Sequence, residues 1–174
     1  MAMAVLVVLG VIAYRTTTGL VETADRVARG HKLVADLQSV LSELQDAETG
    51  ERGYILTGEE RYLQPYNAAV RNVSERIAEL RESAEDDPHV QEKLQLLEPL
   101  IVRRFSEFAE TIELRKTKGF AAALQVVQTD RGRKIMEKIR EMIHEMADEE
   151  SALLILWDRE AKASARNATR IISA

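Results

Sequence analysis

The sequence predicts an all-α protein: an antiparallel up-down-up-down four-helix bundle whose long first and last helices extend toward a membrane. Three observations predict it. Apolar residues recur in steps of three and four along almost the whole chain, and the alternating apolar and polar runs that mark strands are nearly absent. Chain punctuation is also sparse: among 174 residues there are only 3 Pro and 8 Gly, too few for a fold made of many loops.

The first helix is expected over about residues 16–56. Its stripe runs Leu20, Ala24, Val27, His31, Val34, Leu37, Leu41 and Leu44, with Glu48, Arg52 and Ile55 continuing the same face. After Thr57 and Gly58 a second stripe, Leu63, Tyr66, Val70, Val73, Ile77 and Leu80, predicts a helix over about 59–85, with Pro65 tolerated near its start. Asp87 and Pro88 then read as an N-cap and a first helical residue. The third helix, about 88–117, carries Val90, Leu94, Leu97, Ile101, Phe105, Phe108 and Ile112. Arg115, Lys116 and Lys118 favour its carbonyl end, and Gly119 suits the residue that closes it. The last helix is expected over about 120–172, on a stripe of Leu124, Val127, Ile135, Ile139, Met142, Met146, Glu149, Leu153, Leu156, Glu160 and Ala163. Asp130 and Gly132 are expected to bend it without breaking it, because the stripe keeps its phase across them. At about 1.5 Å per residue, the middle helices are roughly 35 to 45 Å long and the outer two roughly 60 and 80 Å. The surplus predicts a two-helix stalk.

Composition excludes several functions. With 45% hydrophobic and 30% charged residues the chain can bury one real core, so a single domain is expected. The net charge of -5 comes from interspersed residues, which leaves no basic stripe for a nucleic acid. Cysteine is absent, which rules out disulfides, thiolate catalysis and cysteine-bound metals. Met1 to Tyr14 is uncharged and apolar, yet shorter than the roughly 20 residues a membrane span takes. It lacks the basic lead and the cleavage site of a signal peptide. It is expected to be the outer part of a truncated transmembrane helix, with a buried core helix as the alternative. Arg166, Arg170, Ile171 and Ile172 look like a basic edge at the other end.

The least ordinary stretch is Asp46 to Tyr66. Gly50 and Gly53 lie inside a helical stripe, where each Gly costs about 1 kcal/mol relative to Ala. Close approach of another helix is the simplest explanation. The stripe also turns Glu48 and Arg52 inward. Asp46, Glu48, Thr49, Gly50, Arg52, Gly53, Tyr54, Ile55, Leu56, Thr57, Gly58, Tyr62 and Leu63 together resemble the signature of the CHASE sensory domains of the third type. The resemblance implies an input module outside the membrane that senses a signal and passes a conformational change to a cytoplasmic output domain of the same chain. A histidine kinase in a two-component system is the commonest output; a chemoreceptor, a diguanylate cyclase, or a helical docking module without a small ligand are the alternatives. The implied location is the inner membrane, with this domain periplasmic or extracellular, anchored by flanking helices and paired as a homodimer.

Glu48, Thr49, Gly50, Arg52, Gly53, Tyr54, Thr57 and Gly58 are therefore the candidate site, either a polar ligand pocket or a network that fixes helix register. Counting down antiparallel helices places Glu48 level with Arg103, Arg104 and Glu107 and with residues 128–131. His31 and Glu149 interrupt the outer stripes at similar height, as a polar pair in the stalk or a pH-sensitive one. Glu141 and His144 have the Glu-x-x-His spacing of di-iron bundles, but the second such motif those sites need is missing. No metal, cofactor or catalytic residue is expected in this chain, and the signal is left open.

Overall fold

The structure, a computed structural model, describes residues 2–172, with side chains described throughout 21–163. The side chains of most of the apolar segment before Tyr14, and of Arg166, Arg170, Ile171 and Ile172, lie outside the described residues, as do Ser173 and Ala174. Every described element is helical: α1 (Ala2–Thr57), a 3-10 turn (Glu60–Leu63), α2 (Gln64–Ser83), α3 (Pro88–Lys118), α4 (Phe120–Val127) and α5 (Arg131–Ile172). Among the described residues no helix is long and apolar enough to cross a membrane.

The chain divides into two compact units, Leu33–Asp148 on the one hand and Met1–Lys32 with Glu149–Ala174 on the other. In the first, Leu37, Val40 and Leu44 of α1, Val73 and Leu80 of α2, Leu94, Leu97 and Ile101 of α3, and Met136, Ile139 and Ile143 of α5 form one apolar core. Side-chain pairs give the directions. Arg76 of α2 reaches Glu43 of α1, and Tyr62, just ahead of α2, meets Gly50 and Gly53, so α1 and α2 run antiparallel. Arg81 of α2 pairs with Glu98 of α3 while Tyr66 packs on Phe105 and Phe108, and Lys93 of α3 pairs with Glu145 of α5 while Arg104 packs on Gly132. The result is the up-down-up-down order, with α1 parallel to α3.

The local signals act as their chemistry dictates. The Asp87 carboxylate accepts from the backbone N–H groups of His89 and Val90 at 3.0 and 3.1 Å, satisfying the free donors of the first turn of α3, where Pro88 has no N–H to offer. Gly119 closes α3 at φ +84.

Two expectations are corrected. The helix starting near residue 59 instead opens with the 3-10 turn, and regular α2 begins at Gln64, with Pro65 in the first turn where it forfeits no hydrogen bond. The bend at Asp130 is a break: α4 ends at Val127, the N–H groups of Thr129 and Asp130 fall back on the Val126 and Val127 carbonyls, and Asp130 takes φ 58. Aspartate tolerates that region better than most residues, and its carboxylate meets the Arg133 guanidinium at 3.3 Å. A three-residue interruption is close to one helical turn of 3.6 residues, so the apolar spacing passes through it in phase.

Candidate functional site

The segment from Glu48 to Leu63 must turn a helix back on itself at close range, and its glycines permit this. A Cβ on Gly50 would lie 2.5 Å from the Tyr62 carbonyl oxygen and 3.4 Å from the Pro65 ring, and one on Gly53 would lie 2.6 Å from the Tyr62 ring. The returning chain therefore rests directly on the backbone of α1. The buried Tyr54 side chain packs with Leu63 and Ile112. The turn itself is made at Gly58, with φ +76, a region that suits glycine, and its N–H returns to the Tyr54 carbonyl at 2.7 Å. Thr57 Oγ1 donates to the Gly53 carbonyl at 2.8 Å and accepts from Glu59 N–H at 3.1 Å. Thr49 is exposed and donates to the Gln45 carbonyl at 2.9 Å. From α3, Arg115 Nε donates to the Ile55 carbonyl at 2.7 Å and its guanidinium lies against Gly58, closing the end of α1.

Just below this turn the interior becomes charged. Arg104, 4% exposed, donates from Nη2 to Glu48 Oε1 at 3.0 Å and from Nη1 to Glu107 Oε2 at 3.3 Å. Its guanidinium carbon sits 3.8 Å from the centroid of the Phe108 ring, a cation–π contact. Glu48 also accepts from Arg52 at 3.0 Å. Beyond Glu107, Arg131 approaches at 3.8 Å and pairs with Glu110 at 2.8 Å. Gly132, the second residue of α5, is buried against Arg104 and Glu107. Glu51, 4% exposed, accepts from the Thr111 hydroxyl. Burial pushes its carboxyl above the usual carboxylate range, against the opposing pull of the Thr111 hydrogen bond and the Arg104 charge. Charged residues from α1 and α3 thus meet in one buried layer, with the exposed Arg131 of α5 at its edge. Its chemistry is pairing and positioning.

This signature-bearing, all-helical unit can be set beside known proteins. The CHASE3 domain family matches residues 23–156. The chain belongs to the CHASE3 family. The sensor domain of the Rhodopseudomonas palustris histidine kinase HK9, a crystal structure, is similar to it with a TM-score of 0.66 and 27% identity, over 72% of this chain and 98% of that one. A comparison with curated proteins found no match. This CHASE3 domain is an extracytoplasmic sensor domain, of the kind carried by membrane receptors.

Within the CHASE3 segment the structure brings Glu48, Gly50, Gly53, Tyr54 and Gly58 together with the returning turn and α3. Arg52 is corrected: its side chain is 61% exposed, and the inward position belongs to Glu51, which the sequence reading passed over. The steps Ala47, Gly50 or Glu51, and Tyr54 carry the buried phase, and they hold a small residue and a carboxylate where a leucine would have announced it. His31 and Glu149 are corrected in the same way. Both are exposed. One position away, Gly30 and Glu150 are buried and meet each other, with Leu154 beside them. Leu153 and Leu156 are likewise exposed where Leu154 is buried. Glu141 and His144 are both exposed, and among the described residues no group of three or more His, Cys, Asp or Glu is placed to hold a metal ion.

Proposed function

We propose that this CHASE3 domain is the periplasmic input module of a sensor histidine kinase in the inner membrane, acting in a two-component system, with its cytoplasmic output domain on the same polypeptide. The observation that carries it is the likeness of 72% of the chain, with almost the whole of the neighbour, to the HK9 sensor domain. The apolar composition of Met1 to Tyr14 supports a membrane helix at that end. Two copies would pair through the unit built from Met1–Lys32 and Glu149–Ala174, where Val21, Leu153, Ile155 and Leu156 are exposed.

Such a module works by moving helices. Packed seams have discrete alternative registers, separated by shifts of about 1–2 Å at interfaces. The charged layer ties α1 to α3 at Glu48–Arg104 and at Glu51–Thr111, so it fixes which register α1 adopts. Glu48 is already shared by two guanidiniums. That favours a register role for the CHASE3 segment over a pocket for a polar metabolite, and a thermal-shift screen of polar metabolites against wild type and Glu48→Gln separates the two.

Because this domain holds no cysteine, a Glu85→Cys substitution in the exposed turn before α3, read against the unsubstituted receptor, reports topology. In intact cells carrying the whole receptor, a membrane-impermeant maleimide is expected to label it; labelling only after lysis contradicts the periplasmic placement. Membranes of the same cells incubated with radiolabelled ATP are expected to place acid-labile label on a histidine of the receptor. Absence of that label contradicts the kinase.

A further inference from the structure

We propose that the sensor's polar layer is a proton-binding site, with Glu51 taking up a proton from outside water and thereby switching the link between α1 and α3. This deepens the function proposed above and rests on it for its signalling consequence, though not for the proton binding itself. Three features of the site carry it.

The first is a count of protons. The Thr111 hydroxyl has one hydrogen and three acceptors within reach: Glu51 Oε1, the Glu107 carbonyl at 3.1 Å and the Phe108 carbonyl at 3.0 Å. When Glu51 is ionised, the Thr111 O–H must donate its hydrogen bond to the carboxylate, at the expense of the bond to its own helix that a helical threonine ordinarily makes. When Glu51 is protonated, its O–H donates to Thr111 Oγ1, and the Thr111 proton returns to the α3 carbonyls. The Glu51–Thr111 contact survives in both states. One proton thus converts a charged α1–α3 hydrogen bond into a neutral one and reverses its direction.

The second is burial without a dedicated cation. The charges facing Glu51 are Arg104 from α3 and Glu48 and Arg52 from its own helix. Arg104 is already bonded to Glu48 and Glu107, Arg52 is mostly exposed on Glu48, and Arg131 of α5 is engaged by Glu107 and Glu110. The returning turn and α2 bring Tyr62 and Tyr66 to this level, and burial pushes the Tyr66 hydroxyl above its ordinary range. Neither supplies a cation. The third is placement: protonation leaves Arg104 shared between two carboxylates in place of the three that surround it, in the layer where α1, α3 and α5 meet.

The sign of the pH effect follows. A carboxyl held above its usual range binds its proton more tightly in the folded state. Its stabilising contribution is complete below the unfolded-state value and is lost as pH rises through the folded-state value. Glu51→Gln mimics the protonated form, so its stability relative to wild type rises with pH across that window.

The test is a 13C titration of the glutamate side chains of this chain, comparing wild type with Glu51→Gln and Thr111→Val. A Glu51 resonance titrating above the ordinary glutamate range, absent in Glu51→Gln and moved further up in Thr111→Val, is the expected result. Thr111→Val keeps the test decisive if Glu51→Gln fails to fold. A Glu51 midpoint within the ordinary range, or one that Thr111→Val leaves in place, overturns the proton site and leaves the receptor assignment untouched. In membranes carrying the whole receptor, autophosphorylation is expected to vary with pH across the Glu51 midpoint in wild type and to stay flat in Glu51→Gln. An identical pH profile in the two, with phosphorylation present in both, overturns the switch while leaving the kinase standing.

Discussion

Two layers of the Leu33–Asp148 unit hold the same helices by opposite means. In one, Leu37 and Leu44 of α1, Leu80 of α2, Leu94, Leu97 and Ile101 of α3 and Ile139 and Ile143 of α5 touch through apolar side chains that are almost wholly buried. In the other, from Glu48 upward, the interior holds Glu51, Arg104, Glu107 and Thr111, and glycine backbone meets the returning chain. Apolar packing is non-directional, so it does not single out one of the discrete registers open to a packed seam. A hydrogen-bonded charged layer does, because each displaced group is left buried and unpaired. The apolar layer therefore supplies most of the cohesion and the charged layer supplies the register.

The largest effect that sharpens this contrast is at Arg104. Arg104→Ala leaves Glu48 and Glu107 without their buried cation and is expected to cost about 3–5 kcal/mol of unfolding free energy, measured by urea denaturation. Leu44→Ala, in the apolar layer, is expected to cost about 2–5 kcal/mol by the same measurement; a loss below about 1 kcal/mol at Arg104, the range of an exposed pair, would place it outside the buried layer.

Much of this arrangement was legible in the sequence. The four stripes located the helices, and Asp87-Pro88 and Gly119 located two of their ends. The glycines at 50 and 53 correctly announced a close approach, and level-counting set Glu48 beside Arg104. Its failures at single side chains, unlike those at the start of α2 and at the break before α5, share one physical cause, a face wrong by one residue. Arg52 was chosen over Glu51, His31 over Gly30, and Glu149 over Glu150. An α-helix drifts about 20° per heptad against a strict 3.5-residue repeat, so a stripe extended over many turns loses its phase. In α5 the drift had nothing to correct it, because Leu153 and Leu156 make as good a stripe as Leu154 and Trp157. At the other two sites the buried residue is a glycine or a carboxylate, which no apolar pattern reveals.

Smaller substitutions probe the turn. Gly50→Ala pushes a methyl group into the Tyr62 carbonyl, which is backbone and yields only by moving the turn. A loss of about 1–3 kcal/mol is expected, seen as a lowered thermal midpoint with the helical circular dichroism retained. The smallest effect belongs to Arg52→Ala. Its pair with Glu48 is mostly exposed and spans one helical turn, so less than about 0.5 kcal/mol is expected. A loss near that of Arg104→Ala would show that Arg52 belongs to the buried layer after all.

On this reading the output domain responds to the register set in the charged layer. The most direct measurement is the autophosphorylation rate of the whole receptor in membranes carrying Glu48→Gln, beside an apolar-layer variant such as Ile139→Val chosen to lose equal stability. Glu48→Gln is expected to change the rate by about 2- to 30-fold, the equivalent of about 0.5–2 kcal/mol of coupling, while Ile139→Val leaves it unchanged. Equal rates in the two variants would contradict that reading.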